Sequence, residues 1–193
     1  PLFFTLGNPL GGGAEVPDYL KVNSLAAGGA GQVITARDIV PPIPDFSKNA
    51  LALGHINVMA DSDGTVRSEP LLISYQNRLY PSYALQLTLK YLNYDIKEVQ
   101  LSGGVKIGNA VIPIDEKMRM LISFNKNFPY YSFVDVVSGK VAPATFKNKI
   151  VVIAQSTVGI GSLVTTPTGI SVPSWGIIAN VVDNILNRDH IVR

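Results

Sequence analysis

Residues able to do chemistry are few in this chain, and they fall in separate places. Asp61-Ser62-Asp63-Gly64 resembles the opening of a calcium loop, where alternating oxygen side chains wrap one cation. Such a loop closes on a bidentate glutamate, and the position where it would fall holds Leu72, so a structural turn is the simpler reading. Arg67 follows that turn. With Asp61 and Asp63 so close in sequence, its first expectation is an ion pair and its second a ligand contact. The two histidines, His55 and His190, lie far apart with no carboxylate cluster around either, so neither triad nor zinc spacing is present. His55, on a strand flank, is expected to be half-buried and hydrogen-bonded. Ser156, Thr157, Gly159 and Gly161 form a small-residue loop whose backbone N–H groups could face an anion. No nucleophile elbow surrounds Ser156 and no helix starts directly after the glycines, so ligand contact and plain tight packing stand level.

The elements that must position these groups follow from patterning. Ile150-Val151-Val152-Ile153-Ala154 is an unbroken apolar run, which predicts a strand covered on both faces, with the 156–162 loop at its carboxyl end where α/β sheets bind ligands. Leu2 to Leu6 reads as a buried strand, and Asn8 to Gly13 as a glycine-rich surface loop. Asp45 is expected to cap a short helix with Phe46, Ala50 and Leu53 on one face, ended by Gly54. His55 to Val58 alternates like a strand, and the Asp63-Gly64 turn joins it to a second strand from Thr65 to Tyr75. Pro81 marks the start of a helix carrying Tyr83, Leu85, Leu89 and Leu92. Val105 to Ile114 is a hairpin turning at Gly108-Asn109, and Met118 to Phe124 a strand. Ser132 caps a short helix to Val137, stopped by Gly139. Trp175 to Leu186 is the closing helix, with Trp175, Ile178, Ala179 and Val182 as its core stripe and Ile177 and Val181 on a second apolar side. The fold class expected is α/β: one domain over 1–193, with a mixed, largely central sheet covered by helices and a β-rich middle segment.

Composition narrows the function classes. At 193 residues the chain can bury a sizeable core, and 47% apolar against 16% charged residues is a globular balance. A net charge of +2, with sixteen scattered Lys and Arg, offers no field for nucleic acid. With no cysteine in the sequence, disulfides, thiol catalysis and thiolate metal sites are excluded. No apolar run approaches the roughly 18 residues of a membrane span, and the opening residues read as a strand entered part-way, as in an excised fragment.

Taken in order, several short motifs resemble the second class of CHASE domains, extracytoplasmic sensory modules of bacterial receptors. They are Gly54-His55-Ile56-Asn57-Val58, Asp61-Ser62-Asp63-Gly64-Thr65-Val66-Arg67, Glu69-Pro70-Leu71-Leu72 and Tyr80-Pro81-Ser82-Tyr83-Ala84-Leu85. Phe133-Val134-Asp135-Val136-Val137-Ser138-Gly139, Lys149-Ile150-Val151-Val152-Ile153, Thr166-Pro167 and Ala179-Asn180 complete the set. The resemblance covers about residues 50–187. It implies a strand, a helix and membrane spans upstream of this chain. It also implies flanking membrane helices that pass a signal to a cyclase, histidine kinase, serine/threonine kinase or diguanylate cyclase; a homodimer is a separate expectation of the sensor reading. By motif match, Asn57, Asp63, Arg67, Ser82, Asp135, Thr166 and Asn180 are the family-typical polar positions. The chain departs from the pattern at Ser162, where the family often has Asp, and at Ser174 to Ile178, where an acid and a histidine are usual.

The leading expectation is therefore a non-catalytic sensor. It would bind an unknown small molecule or an extracytoplasmic protein, with no cofactor, no metal and no nucleic acid. Ligand contacts are expected from Asn57, Arg67, Ser156, Thr157, Gly159, Gly161, Thr166 and Asn180, and structural roles from Asp61, Asp63, Gly64, Pro81, Ser82 and Asp135. The alternatives are a serine hydrolase-like enzyme using Ser156 or Ser162 with His55, and a structural interaction module.

Overall fold

The computed structural model of the chain describes residues 1–8, 15–28, 32–155 and 163–191. Alternating bulky residues at the start make strand β1 (Phe3–Leu6), with Phe4 inward and Phe3 at the surface. Helix α1 (Asp18–Lys21), strands β2 (Leu25–Ala26) and β3 (Ala36–Val40) and helix α2 (Pro44–Asn49) follow. Next come β4 (Ser68–Pro70), β5 (Leu72–Tyr75), β6 (Arg78–Pro81) and helix α3 (Tyr83–Tyr91). The β-rich middle holds β7 (Gln100–Leu101), β8 (Val105–Ile107), β9 (Ala110–Ile112) and β10 (Arg119–Leu121). Helix α4 (Phe133–Val137), strands β11 (Leu163–Thr165) and β12 (Ser171–Pro173) and helix α5 (Ser174–Asn187) complete the described chain. The fold is α/β, with its mixed sheet delivered as short ladders joined by single parallel bridges.

Those bridges matter for the first core. β1 pairs antiparallel with β3, and Thr35 at the foot of β3 bridges in parallel to Ser74 of β5. β5 and β6 form a tight hairpin at Gln76 and Asn77, both at positive φ (45° and 58°) as a primed turn requires. Ser82, just beyond β6, bridges to His55, and His55 to Leu2, which returns the pairing to β1. Backbone hydrogen bonds thus run round a closed circuit, filled by Leu2, Phe4, Leu20, Ile73 and Tyr80.

The second core lies between α3, α5, the β4–β10 pair and the β7–β8–β9 meander. Leu71, Leu85, Leu89, Met120, Ile177 and Val181 are buried in it. Ser82 caps α3 by accepting from Leu85 N–H at 3.1 Å, so the same residue closes the first circuit and starts the helix that roofs the second core. Asn184 pins α5 to the chain just beyond β10: Ser123 N–H donates to Asn184 Oδ1 at 2.8 Å, and Asn184 Nδ2 donates to Ser123 O at 3.2 Å.

Several expectations are corrected. Residues 150–155 form no strand among the described residues. Ile150 packs against the core, but Val151 is 52% and Ile153 78% exposed. β-branched residues favour an extended chain, yet a strand is stable only with a partner ladder, and none reaches this run. Asp45 is not a cap. Ile43 occupies that position, Pro44 takes the first turn where its missing N–H costs nothing, and Phe46 points outward. His55 to Val58 is a single bridge instead of a strand, because its neighbours β1 and Ser82 meet it at one residue. Pro81 ends β6, leaving Ser82 to start the helix. The core stripe of α5 is Ile177, Val181 and Ile185, with Trp175, Ile178 and Ala179 only half-buried.

Where the two cores join, the backbone approach is close. A Cβ added at Gly54 would lie 2.7 Å from the carbonyl oxygen of Ser82 and from Tyr83 Cα, both backbone atoms that cannot step aside. Gly54→Ala is expected to destabilise the protein by about 1–3 kcal/mol, read as a lowered urea midpoint with an unchanged slope.

Candidate functional site

The turn that carries the acidic motif is built by its own backbone. Gly64 N–H donates to Asp61 O, Asp61 N–H to Thr65 O, and Gly64 adopts φ +79°, a region that favours glycine. This turn aims Asp61 and Asp63 at Arg67. Arg67 Nη1 donates to Asp61 Oδ2 at 3.0 Å, and its fork grips Asp63 at 2.9 and 2.7 Å. Hydrogen bonds from Arg67 hold the Asp63 carboxyl far below the usual carboxylate range, and the guanidinium is raised in turn. β4 continues from Arg67 and pairs with β10, which supplies a second arginine. Arg119 Nε donates to Asp115 Oδ2 at 2.7 Å, and Asp115 also caps its own turn through the N–H groups of Lys117 and Arg119. Partial burial works against the Asp115 carboxylate, but Arg119 outweighs it and keeps that carboxyl low.

These residues share a cleft of about 210 Å³, lined by Asp61, Arg67, Ser68, Asp115 and Arg119 on the polar side. Ile114, Leu121 and Ile191 are among its apolar walls. Asp61 lies between the two arginines, with its second oxygen 3.9 Å from Arg119 Nη1.

The residues expected to contact a ligand are placed differently. Arg67 lines the cleft, and Thr166 comes near it, because Val66 N–H donates to Thr165 O at 2.8 Å and lays β11 against this strand. Thr166 is itself buried and closes the β11–β12 turn, donating to Ile170 O at 2.8 Å. Asn57 is engaged elsewhere. Its amide exchanges two hydrogen bonds with the backbone of Phe4, at 2.9 and 2.7 Å, acting as one residue of a strand. Asn180 donates to Gly176 O within α5, and its buried Oδ1 has no partner among the described residues. Ser156, Thr157, Gly159 and Gly161 lie outside the described residues. Of the structural set, Ser82 caps α3 and Asp135 pairs with Lys140 at 3.0 Å. The acidic turn holds an arginine, and among the described residues no cluster of His, Cys, Asp and Glu could hold a metal ion.

His55 departs from expectation. It is 1% exposed, edge-on to Phe4, and neither ring nitrogen has a partner among the described residues. Burial pushes its pKa down to about 3, so the ring is neutral. Glu69 was not singled out by the sequence, although it is buried on β4 opposite Met120 and hydrogen-bonded to Ser82. Burial raises its pKa to about 7, against the Ser82 bond. Asp115 and Arg119 were also missed. Their i, i+4 spacing repeats that of Asp63 and Arg67, and this was the available signal.

The class is that of extracytoplasmic sensory modules: a family model described as a CHASE2 domain matches residues 15–193. The chain belongs to the CHASE2 domain family. CHASE2 domains are sensory, extracytoplasmic parts of membrane receptors. Neither the curated proteins nor the solved structures give a match to this chain. No helix among the described residues is long and apolar enough to cross a membrane.

Two outcomes follow for stability. Asn57→Ala strips partners from a buried N–H and C=O of Phe4 and is expected to cost about 2–4 kcal/mol in denaturant unfolding. For Glu69, the folded pKa of about 7 exceeds the ordinary 4.5, so the folded state holds a proton that the unfolded chain releases. Its contribution is full below pH 4.5 and is lost as pH rises to 7, while His55 opposes it between 3 and 6.5 by refusing a proton that the unfolded chain binds. Wild type minus Glu69→Gln isolates the acid. That difference is expected to be flat below pH 4.5, to fall by roughly 3 kcal/mol up to pH 7, and to be flat beyond.

Proposed function

We propose that this domain senses a small molecule outside the membrane. It would pass the signal through flanking membrane helices, in a homodimeric receptor, to a cyclase, histidine kinase, serine/threonine kinase or diguanylate cyclase. The ligand site is the cleft beside Arg67, with Thr166 as its neighbour. The observation that carries this reading is Ile191: the chain just past α5 forms a wall of the same cleft as Arg67 and Arg119. Whatever fills the cleft touches the segment leaving the last helix. A second tie supports it. Leu121 lines the cleft, and Ser123, shortly beyond it, is held by Asn184 of α5. A ligand that prefers one position of Ile191 shifts the helix exit by its differential affinity for the two positions.

The hydrolase alternative draws no support from His55, whose ring is sealed inside the first core. Docking of a protein partner is favoured by the exposed apolar side chains Phe133, Val134, Val137, Val151 and Ile153. Under that reading, Val137→Asp abolishes receptor output while ligand binding in the cleft is unchanged.

The absence of cysteine makes placement testable. In cells making the full-length protein, Ile191→Cys is expected to react with a membrane-impermeant maleimide as fully before lysis as after it. The unsubstituted protein serves as the blank. Labelling only after lysis refutes the extracytoplasmic placement.

A further inference from the structure

The cleft carries a specific mismatch. Arg67 spends its Nη groups on Asp61 and Asp63, and Arg119 spends Nε and Nη2 on Asp115, which leaves its Nη1. Arg119 Nη1 donates to no described residue, and Asp61 Oδ1 lies 3.9 Å from it, beyond hydrogen-bond length. Asp61 Oδ2 is taken by Arg67, while Oδ1 accepts no hydrogen bond from a described residue. A charged donor and a charged acceptor therefore stand 3.9 Å apart without a hydrogen bond between them, on two residues that line the cleft. Beside the gap stand Ile114, Leu121 and Ile191, which are apolar and aliphatic.

We infer that this cleft binds a small aliphatic zwitterion of the α-amino-acid class, a reading that rests on the sensory role proposed above. The ligand carboxylate accepts from Arg119 Nη1, its ammonium donates to Asp61 Oδ1, and its side chain lies against Ile114, Leu121 and Ile191. The charge balance selects this class. Asp61, Asp63 and Asp115 outweigh Arg67 and Arg119 by one negative charge, so a simple anion meets net repulsion. A simple cation satisfies Asp61 but leaves Arg119 Nη1 without an acceptor. In an α-amino acid both charged groups hang from one carbon, which lets them fill the gap together. A volume of about 210 Å³ suits a small aliphatic amino acid.

Titration calorimetry at pH 7 tests the assignment with L-valine and its two half-molecules: isobutylamine, which lacks the carboxylate, and 3-methylbutanoate, which lacks the ammonium. Valine is expected to bind saturably, and each half-molecule at least tenfold more weakly. Asp61→Asn and Arg119→Lys are each expected to weaken valine at least tenfold, the lysine losing the forked geometry. Asp135→Asn, whose partner Lys140 is outside the cleft, is expected to bind as wild type. Thermal unfolding of each variant identifies a loss of affinity that is only loss of fold. The inference is overturned if valine shows no saturable heat up to about 10 mM. It is also overturned if either half-molecule matches valine, or if folded Asp61→Asn binds as wild type does. Those results leave the extracytoplasmic placement standing, which the labelling of Ile191→Cys decides on its own.

Discussion

Most of this structure depends on how the Gly54–Ile56 segment is threaded between β1 and Ser82. Leu2 N–H donates to Gly54 O and Ile56 N–H to Leu2 O on one side. His55 N–H donates to Pro81 O and Tyr83 N–H to His55 O on the other. These bonds close the first circuit and fix where α3 begins. They also explain why glycine stands at position 54, since a side chain there would strike the Ser82 carbonyl. The buried, neutral His55 is part of the arrangement: its backbone does the joining, and its ring fills space against Phe4.

A second theme is the use of side-chain amides as pieces of backbone. Asn57 serves Phe4, and Asn184 serves Ser123, in each case with one donor and one acceptor on a single residue. Short ladders leave backbone groups without strand partners, and a buried N–H or C=O left alone is costly. An asparagine supplies both at once. The family-typical asparagines are thereby divided: Asn57 holds strands together, whereas Asn180 keeps an oxygen inside α5 that has no partner among the described residues.

Local signals in the sequence were dependable where local physics decides the outcome. The Gly108-Asn109 hairpin, the α4 helix before Gly139, the closing helix and the ion pair between Arg67 and its two aspartates all follow from neighbours within a few residues. Partners distant in sequence were not legible. The Ile150 run has the composition of a central strand, but its fate depends on whether a ladder reaches it. Half of the cleft was readable in Asp61 and Arg67. The other half was hidden because Asp115 and Arg119 enter through the β4–β10 pairing, and Ile191 through the packing of α5. Glu69 was missed because a charged residue on a short strand reads as solvent-facing, while this one is turned into the core beside the start of α3.

The exposed run from Val151 to Ala154 has a bearing on how the protein behaves at high concentration. It combines β-branched residues, no charge and no proline, the makings of a self-associating segment when its edge is open. Lys147 and Lys149 stand immediately before it and act as gatekeepers, since two chains aligned through this run in parallel would bring like charges together. That protection is electrostatic and fades with added salt. Colloidal stability of the purified protein is thus tied to ionic strength through two exposed lysines.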